Sequence, residues 1–351
     1  MSTSLAAEKS PARNETMDLL KFIAAIFVVF DHAIFPGRLG GWLICLCSFA
    51  VPMFFAISGY FNYNASVDQI RRRTRGIFKL LVIGTLFQII GNCVAIELNQ
   101  GSTIAYLRAA IPDPDEIVNC VVLHVHPYSG QLWFLNGLIT VYLVFLLFTR
   151  FQNRLEPDYR PFYGLCTALL VLLFAFGTLS PAIGQSGGVP VRNGWLIGLP
   201  IFGAGLFLRQ YQERILDMVP RRWWVLACAA VGAMAFSLLE METVGVGILP
   251  FGMYIAVAAL MLLAVSHPVI SRGTGLFHGF LRHCGSVSTW IYLFHVFFVT
   301  QYEEFLQPLV VSLAGEAEPY LYPLLILAVS VVNAVLWEIG SCLLKGRRKG
   351  R

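Results

Sequence analysis

Lys21 and His32 stand eleven residues apart in the stretch Met17 to Pro36, MDLLKFIAAIFVVFDHAIFP. In a helix, eleven residues at about 100° each make roughly three turns plus 20°, so both side chains leave one face. A rise of about 1.5 Å per residue sets them roughly 16 Å apart, half of a hydrocarbon core about 30 Å thick. The stretch is apolar enough to span a bilayer, so it carries a cation near one surface and an imidazole at depth. Ionisable groups at that depth are costly and by default mark a functional site facing the bundle interior. Imidazole titrates near neutrality, which makes His32 the candidate general base for taking a proton from a hydroxyl. The competing reading, at about even weight, is a buried histidine bonded to a neighbouring helix. Asp31 points about 100° away from His32 and is not an expected helper.

Other residues belong to the same picture. The segment VPMFFAISGYFNYN carries small Ser58 and Gly59, which allow a helix or a ligand close approach. Arg71, Arg72, Arg73, Arg75 and Lys79 follow it, a cluster suited to phosphate groups. From charge alone a stop-transfer flank explains that cluster better; its place on the same side as Lys21 shifts the balance. In GQLWFLNGLITVYLV, Trp133 falls at an interface, where a tryptophan is more often a membrane anchor, and Asn136 lies within the span. In GSVSTWIYLFHVFF, His295 reaches about the depth of His32, and two histidines at mid-depth suggest a lined cavity. Glu303 and Glu304 lie near the outer end of that helix, and Glu338 is placed to pair with an arginine. His124-x-His126 reads as part of a solvated loop in preference to a metal pair. Cys45-x-Cys47 reads as helix packing, and the eight cysteines imply no bridge and no metal site.

The elements that position these residues are read from composition. The 351-residue chain is 57% hydrophobic and 13% charged, with a mean hydropathy of +0.69. This is a polytopic all-α membrane bundle, and no stretch between apolar segments is long enough for an added soluble domain. Ten apolar segments are expected, at about 17–36, 41–63, 76–97, 131–149, 161–180, 194–209, 223–241, 246–266, 284–306 and 320–344. With both termini cytoplasmic, all of the 25 basic residues except Arg38, Arg108 and Arg192 fall on the inner side. The net charge of +5 is then a topology and anionic-lipid signal, not a nucleic-acid footprint. Residues 1–16 are expected to be a disordered tail without a cleavable signal, 17–345 the membrane domain, and 346–351 a basic tail. Residues 98–130 form the longest loop, a candidate lid.

The ordered motifs resemble the acyltransferase 3 family of integral-membrane enzymes that acylate cell-envelope sugars. Lys21 and His32 match its basic residue, ten intervening residues and histidine; Phe54 to Gly59 match FF-x-x-SG. Arg71 to Lys79 match its basic inner loop, Trp133 to Leu135 its WFL segment, and Ile291 to His295 its IYL-x-H segment. Lys21 stands where the family usually has arginine and offers a point charge in place of a planar fork. The resemblance implies a multi-pass enzyme of the plasma membrane that transfers an acyl group, most often acetyl, from cytoplasmic acyl-CoA. The acceptor would be a hydroxyl of an envelope polysaccharide or lipid-linked sugar. It gives His32 the role of base or transient acyl carrier, and Lys21, Arg71, Arg72, Arg73, Arg75 and Lys79 that of donor contacts. Ser58, Trp133, Asn136, Tyr292 and His295 become the expected substrate contacts. Two rivals stand beside it: an exporter of a small polar solute, with histidines and glutamates along its path, and an acyl-relay subunit without an acceptor site.

Overall fold

The computed structural model describes residues 13–99, 101–153, 157–179, 192–220, 222–245, 249–270 and 276–349. Residues 1–12 of the expected tail lie outside that set. Among the described residues the chain is helical, without a strand. In order the helices are α1 (Glu15–His32), α2 (Gly37–Cys47), α3 (Ala50–Asn62), α4 (Val67–Leu98), α5 (Thr103–Ala109), α6 (Pro114–Val118), α7 (Trp133–Arg150) and α8 (Arg160–Leu173). They continue with α9 (Leu199–Gln210), α10 (Gln212–Met218), α11 (Trp223–Val244), α12 (Phe251–Ser266), α13 (Leu276–Gln301), α14 (Gln307–Ala314) and α15 (Glu318–Lys349).

Every one of the ten expected segments carries helix, but among the described residues six helical stretches are long and apolar enough to cross a membrane. They are Gly37–Asn62, Val67–Leu98, Gly130–Arg150, Arg160–Thr178, Trp223–Val244 and His283–Ser341. The difference has physical causes. Glu15, Asp18, Lys21 and Asp31 dilute the apolar character of α1, α9 has only 12 residues and α12 only 16, and the last two expected segments share one continuous stretch.

The bundle is assembled around α1, which packs against α13 and α3 and also touches α2, α12 and α15. Its start is fixed more firmly than a tail would be. The Asn14 side chain accepts from Met17 N at 2.9 Å and donates to Ala264 O at 2.7 Å, while Glu15 N donates to Pro268 O at 2.8 Å. Asn14, Glu15 and Thr16 are therefore buried helix start, and the expected tail ends before them. At the other terminus α15 continues through residues expected to be tail, as far as Lys349. The α3–α9 contact depends on glycine. A β-carbon at Gly59 would sit 1.9 Å from Phe202 O, and one at Gly205 would sit 2.0 Å from Ala56 O. These two helices approach backbone to backbone, the close packing that membrane helices use in place of a hydrophobic drive.

The long 98–130 connection is a folded cap. It contains α5, α6 and a turn of π-helix at Asn119–Leu123, and its Val122 carbonyl accepts from Trp195 Nε1 at 2.9 Å. Large apolar side chains such as Leu86 and Ile90 of α4 remain exposed on the outer surface of the bundle. That is the exposure expected of a face turned to lipid.

Candidate functional site

His32 closes α1, and α1 lies against α13, so the first-span imidazole meets His295. Their rings are 4.8 Å apart at 71°, with His295 Nε2 3.3 Å from His32 Nδ1. Two carbonyls assign the protons. His295 Nδ1 lies 2.8 Å from Tyr292 O, so in the neutral ring this nitrogen carries the hydrogen and Nε2 is the lone pair. His32 Nδ1 lies 3.0 Å from Val28 O and is likewise a donor, its hydrogen shared between that carbonyl and His295 Nε2. The free nitrogen of His32 is then Nε2, with its lone pair available, as a general base requires.

His32 lines a small cavity of about 70 Å³. Trp133, Phe134 and Tyr292 form an aromatic wall, and the Tyr292 hydroxyl donates to the Gln131 carbonyl. Gln131, Asp31 and Arg192 bring polar groups to the same cavity, with Arg192 Nη1 3.9 Å from Asp31 Oδ2. Cys45 and Cys47 complete one side from α2. Polar and aromatic groups converging on one imidazole in a restricted space make this the candidate reaction centre.

The opposite end of α1 holds charge. Lys21 Nζ is 3.1 Å from Asp18 Oδ1 and 5.6 Å from the Phe61 ring centroid, and Asp18 also receives Arg13 at 2.7 Å. The arginine cluster divides there. Arg72, Arg75 and Lys79 are exposed along α4, and Arg71 lies 3.7 Å from Asp68. Arg73 turns inward and donates to Phe61 O at 2.9 Å and Asn62 Oδ1 at 2.7 Å. The five cations do not converge on one point.

Of the expected substrate contacts, the structure brings Trp133 and Tyr292 into the cavity and sets His295 behind His32. Ser58 and Asn136 are elsewhere. The Ser58 carbonyl accepts from Asn62 Nδ2 at 2.7 Å, and Asn136 Nδ2 donates to Cys120 Sγ at 3.2 Å. Asp31, Gln131 and Arg192 were not legible as site residues. A side chain 100° away around α1 still reaches a cavity that wraps the helix end, and Arg192 lies far along the chain. Among the described residues Glu338 pairs with His283 at 3.1 Å, because α13 is the helix α15 packs on. The His124 pair is not a solvated loop either. His124 Nδ1 accepts from Gly194 N at 3.2 Å and its Nε2 lies 2.8 Å from Thr140 Oγ1. His126 Nδ1 accepts from Tyr128 N at 3.3 Å, with Nε2 3.1 Å from Thr85 Oγ1. Burial pushes both imidazoles down to about 4.

With this geometry in view, the comparison with family models is direct. Residues 14–338 match the acyltransferase domain model, nearly the whole chain, so the protein belongs to that family of membrane acyltransferases. Comparison with curated proteins and with solved structures returned no match.

Proposed function

We propose that the protein is a ten-span plasma-membrane acyltransferase, both termini cytoplasmic, that moves an acyl group, chiefly acetyl, from acyl-CoA. The acceptor in this reading is a hydroxyl of an envelope polysaccharide or lipid-linked sugar. The observation that carries it is the placement of His32: its Nδ1 faces Val28 O and His295 Nε2, which leaves Nε2 as the lone-pair nitrogen of the neutral ring, and the ring lines a cavity. In the reaction His32 Nε2 accepts the hydroxyl proton as the oxygen attacks the thioester carbonyl. The C–S bond then breaks, and the same proton passes to the departing thiolate. The aromatic wall offers flat faces to a sugar ring, while Asp31, Arg192 and Gln131 offer hydrogen bonds to its hydroxyls. Cations gathered at the Lys21 end support donor entry from that side, about 16 Å of helix from His32.

The test is turnover of acetyl-CoA by detergent-purified protein. His32→Ala is expected to lower kcat by about 10²–10⁴-fold, the range for a positioned base. Full activity in that variant removes the reading. Solute transport by wild type without any CoA affinity would replace it with the exporter.

A further inference from the structure

Gln131 stands in the cavity wall in a way that proton transfer at His32 does not use. It lies in the short turn Gly130–Leu132 that leads into α7, and it is 3% exposed. Both of its oxygens are taken. The backbone carbonyl accepts from the Tyr292 hydroxyl, and side-chain Oε1 accepts from the buried Ser129 hydroxyl. A side-chain amide has one oxygen and two N–H bonds, so with Oε1 held by Ser129 only donors are left to present to the cavity. Those N–H bonds have no acceptor among the described residues. A buried donor without a partner is costly and calls for a ligand.

The other donors in this wall are mostly engaged. Ser48 Oγ donates to Cys45 O at 2.6 Å, the Tyr292 hydroxyl is spent on Gln131 itself, and Arg192 faces Asp31. The Trp133 indole is the remaining one, on a half-buried ring. One segment of α13 sets both Gln131 and His32. The Tyr292 hydroxyl holds Gln131, the Tyr292 carbonyl holds His295 Nδ1 at 2.8 Å, and His295 Nε2 lies 3.3 Å from His32 Nδ1. The amide donor and the imidazole lone pair therefore belong to one hydrogen-bonded frame around the same small cavity.

We propose that Gln131 stabilises the oxyanion of acyl transfer, its Nε2–H donating to the carbonyl oxygen of the acyl group. The assignment rests on the acyl-transfer reading and supplies the group that meets the charge the reaction creates. As the acceptor oxygen bonds to the thioester carbon, the C=O π pair moves onto the carbonyl oxygen and His32 Nε2 takes the hydroxyl proton. The Gln131 N–H faces that negative oxygen, with the positive end of the α7 dipole behind it. The pair then returns to re-form C=O, the C–S bond breaks, and the sulfur leaves with its electrons and takes the proton from His32. Ser129 is a positioning residue, because its hydroxyl keeps the amide oxygen turned away from the reacting carbonyl.

The experiment follows thiol release from acetyl-CoA and from its dithioester analogue, in which C=S replaces C=O, by detergent-purified full-length protein. Sulfur accepts hydrogen bonds weakly, so the oxo-to-thio rate ratio reports a donor on that atom. Gln131→Met and Gln131→Glu are each expected to lower kcat on acetyl-CoA by about 10²–10³-fold, the loss of one oxyanion donor, with little change in KM. The oxo-to-thio ratio should fall with it. Ser129→Ala should shift the ratio the same way by less, and Ser129→Thr, which keeps the hydroxyl, should restore it. His32→Ala should slow both substrates alike. Full kcat in both Gln131 variants overturns the proposal, and so does an equal loss on the two substrates, the result of a side chain that only packs. A ratio that falls in Trp133→Phe and not in Gln131→Met overturns it in favour of the indole. Each of these leaves His32 as the base. A collapsed ratio in Gln131→Met beside full activity in His32→Ala would keep the oxyanion donor and remove the base, and wild type that releases no thiol removes both.

Discussion

The two ends of α1 solve different problems. At the Lys21 end the protein keeps a wide cleft of about 740 Å³ in which guanidinium groups are anchored by neutral oxygens. At the His32 end it keeps a cavity of about 70 Å³, walled by Trp133, Phe134 and Tyr292, in which an imidazole is held by a second imidazole. Charge recognition tolerates water and needs reach. Proton transfer needs one nitrogen in one tautomer, facing a restricted space. The two ends are about 16 Å of helix apart, which suits the proposed acyl-CoA donor: its charged head would be gripped at one end and its thioester presented at the other.

The sharpest way to break this contrast is His32→Ala, for which the largest loss is expected. Next comes its partner. His295→Ala is expected to lower kcat by about 10–100-fold with little change in donor KM, because it removes one of the two acceptors that keep the His32 proton on Nδ1, leaving only the Val28 carbonyl. His295→Gln should recover much of that loss, since the amide oxygen can accept the same Nδ1–H, and it should restore the wild-type pH profile. Equal activities and pH profiles in the Ala and Gln variants would mean that His295 only fills space.

A packing test separates the ends as well. A β-carbon at Gly194 would meet Gly137 O at 2.6 Å, beside the cavity wall, whereas one at Gly76 on α4 meets nothing within 4 Å. Gly194→Ala is expected to destabilise by about 1–3 kcal/mol, measured as a lower Tm in detergent. Gly76→Ala should be neutral or slightly stabilising. Matching melting curves for the two variants would contradict the close approach at Gly194.

The smallest expected effect is on the cap formed by residues 101–130. His124 and His126 each receive a backbone N–H on Nδ1, so protonation there replaces an acceptor with a donor. Their folded values, pushed down to about 4, lie below the ordinary value near 6.5. An undocked cap therefore binds more protons between those limits. Docking is at full strength above about pH 6.5 and weakens as pH falls toward 4. Amide exchange across residues 119–126 should quicken between pH 7 and 5 while the α1–α13 core stays protected. Unchanged exchange in the cap would show that the histidines do not hold it.

The sequence by itself determined the helical membrane architecture, the depth relation of Lys21 and His32, and the family motifs. All of these depend on local periodicity and apolar content, which one segment displays without its neighbours. His295 was visible because an imidazole in an apolar span stands out. The tertiary structure alone decided which side chains meet. Asp31 and Arg192 join His32 in one cavity, Ser58 and Asn136 do not, and Glu338 finds His283. It also separated the cations, since Arg71 and Lys21 look equivalent to Arg73 and Arg209 in a string of letters. Their difference is whether the nearest acceptor is a carboxylate or a neutral oxygen; Gln212 is a near neighbour of Arg209 in the chain, but Tyr60 reaches it only after α3 and α9 lock together through Gly59 and Gly205. Contacts between residues more than a hundred positions apart are set by helix packing, and no local pattern records them.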